Sequence, residues 1–114
     1  VVLVSEASVS RGDVFLVALN PTRGQEIQKT RPCVVVSPHE LNAHMGTFIV
    51  APLITGGHRY PFRIPCSFDG KDGHVVPDQL HTVDRDRLVK RLGVLPEATL
   101  LQVLGVLQEM FAPS

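Results

Sequence analysis

The stretch NPTRGQEIQKTRPCVVVS, residues 20–37, divides into two unlike halves. Asn20 to Thr30 carries Pro21, Gly24 and mixed charges without apolar periodicity, which predicts a mobile surface loop. That loop holds Arg23, Glu26 and Lys29. Pro32 marks the boundary, because a proline pushes the residue before it toward extended geometry. Cys33-Val34-Val35-Val36-Ser37 is a short β-branched run suited to a buried strand. Arg31 therefore stands at the rim of a strand and at the root of a loop. A guanidinium there either grips a phosphate through two parallel hydrogen bonds or pairs with Glu26 at the surface. Residue chemistry alone leaves both open.

On the N-terminal side, Val1 to Ser10 reads as a frayed lead, Gly12 as a turn and Asp13 to Leu19 as the first strand. On the other side, Pro38 to His44 suits a polar turn or one helical turn, with Pro38 at its first position. Asn42 and Gly46 close it before a third strand, Thr47 to Leu53. Gly56-Gly57 is a break. Tyr60 to Pro65 is extended, and its prolines restrict it to an edge or covered strand. Phe68 to Gly73 carries a D-G turn signal that joins two strands of a hairpin. His74 to Val76, Gln79 to Val83 and Val89 to Val94 complete the extended pieces, and Asp84 is placed to cap a single turn through Leu88.

One long helix opens at Leu95-Pro96-Glu97. Leu100, Val103, Leu104, Leu107 and Phe111 recur at helical spacing and form its core face. Leu101, Val106 and Met110 widen the apolar band, either as part of an ordinary buried helix or as the face of a second packing partner. Several short strands followed by a C-terminal helix predict a mainly β fold, a small partly open barrel. A flexible lead of residues 1–9 precedes a single domain at 10–112.

The 114 residues, 44% hydrophobic and 19% charged, suit one globular domain with a modest core. Nine glycines and nine prolines favour short strands over a helical bundle. Apolar runs are too short for a membrane span, and Val1 to Val4 is followed at once by Ser5 and Glu6, unlike a signal peptide, so a cytoplasmic location is expected. Net charge is zero, which argues against general affinity for long duplexes. Local basic clusters remain: Arg11, Arg23, Lys29 and Arg31 early, and Arg85, Arg87, Lys90 and Arg91 late. Cys33 and Cys66 make neither a disulfide framework nor a zinc cage, and the five histidines show no paired ligand spacing. No metal and no cofactor is expected.

An ordered series of motifs resembles the MazF/PemK toxins, small ribonucleases of bacterial toxin–antitoxin pairs. It begins with R-G-D-V-F-L-V from Arg11, P-x-x-G-x-E over Pro21, Gly24 and Glu26, and R-P-x-V-V-V-S from Arg31. It continues through Asn42, Gly46, the strand Phe48 to Leu53, Tyr60-Pro61-Phe62, Asp78-Gln79-Leu80, Thr82-Val83-Asp84 and Arg87-Leu88, and so spans about Ser10 to Phe111. The resemblance implies an SH3-like barrel with added helices, a homodimer, and metal-independent cleavage of single-stranded RNA. It also implies a MazE-like antitoxin whose acidic, extended tail covers the RNA groove. A binding module of the same fold that acts by protein contact, as gyrase poisons do, is the alternative.

Metal-free cleavage needs an aligned 2′-hydroxyl, stabilised charge on the phosphorane and a proton for the leaving 5′-oxygen. Arg31 is the candidate for the second task and Glu26 for a base, although Glu26 serves equally as an ion-pair partner. The family resemblance places a threonine two residues after Pro52, facing the phosphate beside the arginine. Ile54 holds that position here and Thr55 follows it, so an attenuated enzyme is expected unless a bulge, or a strand end at Leu53, brings Thr55 round. In the family's Q-x-R-T pattern Gln79 and Thr82 match, while His81 replaces the arginine. Arg23, Lys29, Gln79, His81 and Thr82 are the candidate RNA contacts. Gln79 equally suits a core hydrogen bond, and His81 an inert strand face. Tyr60, Phe15 and Phe62 are expected in the core rather than stacked on bases.

Overall fold

The β-branched run at Cys33 lies at the centre of the sheet, buried on both sides. The computed structural model describes residues 8–19, 30–57 and 60–114. The elements follow in order: β1 (Asp13–Ala18), β2 (Thr30–Val35), α1 (His39–His44), β3 (Thr47–Thr55), β4 (Ile64–Phe68), β5 (Lys71–Val75), β6 (His81–Asp84), β7 (Leu88–Val94) and α2 (Glu97–Phe111). Single 3-10 turns at Pro77–Gln79 and Arg85–Arg87 flank β6. Among the described residues the strands run β4-β5-β3-β2-β1-β7, all antiparallel, with β6 on the first half of β3. The two ends of that order come together, because a Cβ on Gly93 of β7 would sit 3.4 Å from the Phe68 ring of β4. The sheet is therefore curled into a half-barrel, as the run of short strands predicts.

Alternation explains why so many strand residues are apolar. Phe15, Val17, Cys33, Val35, Phe48 and Val50 point to one face, where Val9, Val83 and Leu88 complete a core. Val14, Val34, Ala51 and Leu53 point to the other, where α2 covers them with Leu100, Val103, Leu104 and Leu107. A sheet buried on both faces reads as near-continuous hydrophobic runs. Each fully buried Val or Phe contributes roughly 1.5–3 kcal/mol relative to an exposed one. At the end of β2 a buried polar knot turns the chain. Ser37 Oγ donates to Asn42 Oδ1 and accepts from the Ile49 amide, while Asn42 Nδ2 donates to the Ser37 carbonyl.

Several expectations are corrected. Val9, the last residue of the expected lead, is buried in the core. Tyr60 to Arg63 is a turn closed by Arg63 N–H donating to the Tyr60 carbonyl, not an extended segment, and the edge strand begins only at Ile64. Tyr60 (53% exposed) and Phe62 (43%) consequently lie at the surface, whereas Phe15 is in the core. Pro38 is the N-cap of α1 rather than its first residue, and Asp84 makes no side-chain cap. Phe111, expected on the core face of the helix, is its last residue and is 70% exposed.

Candidate functional site

The loop half of 20–37 lies outside the described residues up to Lys29, so Arg23, Glu26 and Lys29 have no described place. The strand half places Arg31. Alternation along β2 sets it on the same face as Cys33 and Val35. Cys33 pairs with Pro52, which carries this face along β3 to Ile54, and Ile54 pairs with His74 of β5. Arg31, Ile54 and His74 thus occupy one face across three neighbouring strands. His81, the partner of Val50, shares it. Thr55 is on the opposite face, with Leu53 and Ala51.

No bulge brings Thr55 round. The β3–β5 ladder runs in unbroken register, Leu53 to Val75, Ile54 to His74 and Thr55 to Gly73. Gly73 makes this possible: a Cβ there would collide with the Ile54 carbonyl oxygen, so only glycine lets the two backbones approach so closely. β3 therefore extends two residues beyond the expected Leu53, and Ile54 keeps its place on the Arg31 face.

Arg31, Ile54 and Thr55 border one concavity of about 490 Å³. Pro32 and Leu53 line it from the strands, Leu92 from β7, and Phe68, Asp69, Lys71 and Asp72 from the β4–β5 hairpin. Asp69 (φ 53°) and Gly70 (φ 75°) make the two-residue turn of that hairpin, as the D-G signal predicts. The hairpin's contribution is not legible in the sequence, because turn residues announce a reversal but not what the reversed strands will border. Arg31 is half-buried and, among the described residues, its side chain makes no hydrogen bond or ion pair. Gln79, His81 and Thr82 are exposed and do not line this concavity.

The other cations are mostly committed elsewhere. Arg91 donates to both carboxylate oxygens of Asp13, at 2.8 and 2.9 Å, and Arg11 Nε donates to the Val36 carbonyl at 3.0 Å. Arg85 stacks over the Phe48 ring at 5.0 Å. Burial pushes the Cys33 thiol from its ordinary 9.0 up to about 12, with nearby Arg31 opposing the rise, so this sulfur is a core group and not a nucleophile. Burial also raises Cys66.

A curled antiparallel sheet backed by a C-terminal helix, with an arginine at the mouth of a strand beside a cleft, defines a small half-barrel domain with a cleft at its strand ends. Residues 10–111 match the family of PemK-like, MazF-like toxins of type II toxin–antitoxin systems, and the chain belongs to that family. Endoribonuclease PemK of Escherichia coli is 36% identical over 106 residues, covering 88% of this chain and 80% of that protein. Endoribonuclease MazF of Staphylococcus epidermidis is 30% identical over 103 residues, covering 83% and 84%. The crystal structure of MazE–MazF (Form-II) from Deinococcus radiodurans superposes with a TM-score of 0.81 at 26% identity, over 95% of this chain and 99% of that one.

Proposed function

We propose that this chain is a sequence-specific, metal-independent endoribonuclease, the toxin of a toxin–antitoxin pair. In this reading the 2′-hydroxyl of single-stranded RNA attacks the adjacent phosphate, leaving a 2′,3′-cyclic phosphate and a 5′-hydroxyl. The observation that carries it is Arg31, a half-buried guanidinium without an ion-pair partner among the described residues, at the rim of the concavity shared with Ile54. A guanidinium so placed binds two phosphate oxygens in parallel and stabilises charge as it develops. Glu26 is the proposed base. Arg23, Lys29, Gln79, His81 and Thr82 are the proposed RNA contacts, those on β6 lying beyond the concavity. The relatives named as endoribonucleases and the MazE-bound neighbour support the reading. The partner is then an antitoxin whose acidic tail covers the RNA groove. Exposed Leu101, Phe111 and Val94 support a homodimer.

Incubation with a mixed RNA pool in chelator tests the activity. Fragments ending in 2′,3′-cyclic phosphate support it. Intact RNA together with tight binding to gyrase favours the binding module instead.

The chain is further proposed to be attenuated. Thr55 borders the concavity from the face of β3 opposite Ile54, and Ile54, on the Arg31 face, offers no donor to a phosphate. One preorganised donor is worth on the order of a hundredfold in rate, so Ile54→Thr is expected to raise kcat by about that factor. Equal turnover by the two proteins on a short single-stranded RNA would remove the idea.

A further inference from the structure

β3 leaves the concavity through Gly56, whose φ of 69° lies in the left-handed region. A glycine there has no side chain to hold it, yet both its backbone groups are tied to β5. Its N–H donates to the Asp72 carbonyl at 2.9 Å, and its carbonyl lies 2.7 Å from Nδ1 of His74. A carbonyl oxygen only accepts, so Nδ1 carries the proton and donates. His74 is 8% exposed, and with Gly56 and Gly57 it borders a second concavity next to this contact. The next residue leaves little space for a side chain: a Cβ on Gly57 would lie 3.1 Å from Ile54 Cδ1 and 3.6 Å from His74 Nδ1. His74 is at the same time the cross-strand partner of Ile54, on the face that carries Arg31.

We propose that His74 is a positioning residue for the site. Its imidazole latches the turn at which β3 ends, and so fixes Ile54 and Thr55 relative to Arg31. The latch does not touch substrate; it acts through the Gly56 carbonyl. Its catalytic consequence rests on the endoribonuclease reading, whereas its structural consequence does not. A misplacement of about 1 Å at a reacting centre costs on the order of a hundredfold, so a loosened turn should be visible in turnover.

The test compares His74→Leu with His74→Asn, each in the native chain and in the Ile54→Thr chain. Leucine fills much of the space without a donor. Asparagine places Nδ2 where the imidazole has Nδ1. His74→Leu is expected to lower kcat by roughly tenfold or more with KM changed by less than about twofold, and His74→Asn to recover most of the loss. Amide exchange at Gly56 should be faster in the Leu variant and native-like in the Asn variant. Loss of activity by Asn and Leu alike, or a Leu variant with native kcat and native Gly56 exchange, overturns the proposal. Should no chain cleave RNA, the endoribonuclease reading fails by itself. Gly56 exchange then decides the latch alone, and unchanged protection in the Leu variant ends it.

Discussion

Arg31→Ala should lower cleavage of single-stranded RNA by on the order of a hundred- to a thousandfold, with the fold intact. The two halves of that expectation have separate grounds. The fold survives because, among the described residues, the guanidinium supports nothing: it forms no side-chain hydrogen bond or ion pair, and Pro32 and Cys33 hold the strand without it. Activity falls because the permanent charge and planar fork at the concavity are lost together. Arg31→Lys separates the two contributions. It keeps a charge but loses the paired donors, so it should fall between the native chain and Arg31→Ala. Initial rates on a short RNA, with a thermal melt of each variant, make the measurement. Native turnover by the alanine variant would remove Arg31 from the chemistry.

Arg91→Met should cost about 3 kcal/mol of folding stability, the largest effect expected outside the site. Asp13 is 3% exposed, and its carboxylate accepts from both Arg91 nitrogens and from the Ser10 amide. These bonds tie β1 to β7 and to the turn that enters β1. Removing the arginine leaves a buried anion with only the Ser10 amide, and that stranded charge, rather than the lost attraction, is what destabilises. The half-exposed guanidinium is easily rehydrated, so deleting Asp13 instead should be cheaper. Denaturant titration of Arg91→Met, Asp13→Asn and the double variant checks this. Coupling between the two sites is expected, and an Arg91→Met loss within about 0.5 kcal/mol would show that the pair stabilises nothing.

Much of this architecture was legible in the residues. The β-branched run at Cys33, the Asp69-Gly70 turn and the 3.6-residue spacing in the last helix each carry local physics, and each forms the expected element. What failed depends on partners distant in the chain. Tyr60-Pro61-Phe62 has strand-like residues, but a backbone hydrogen bond curls it into a turn and leaves its rings exposed. Asp84 has the chemistry of a cap without making one. At the site, the sequence singles out Arg31 and Ile54, and both border one concavity. The persistence of β3 through Thr55 could not be read there, because it depends on how closely β5 approaches. Arg91 reads in the sequence as part of a basic cluster, and only the pairing of β1 with β7 shows that it serves Asp13.

Gly73 carries a warning for genetics. If the proposed ribonuclease activity through Arg31 makes expression lethal, a selection that scores survival would recover nearly every substitution at that codon, as it would at Arg31. The first class would yield misassembled polypeptide and the second a well-formed but inert one. Only the amount of properly folded material in each clone tells a steric veto from a chemical one.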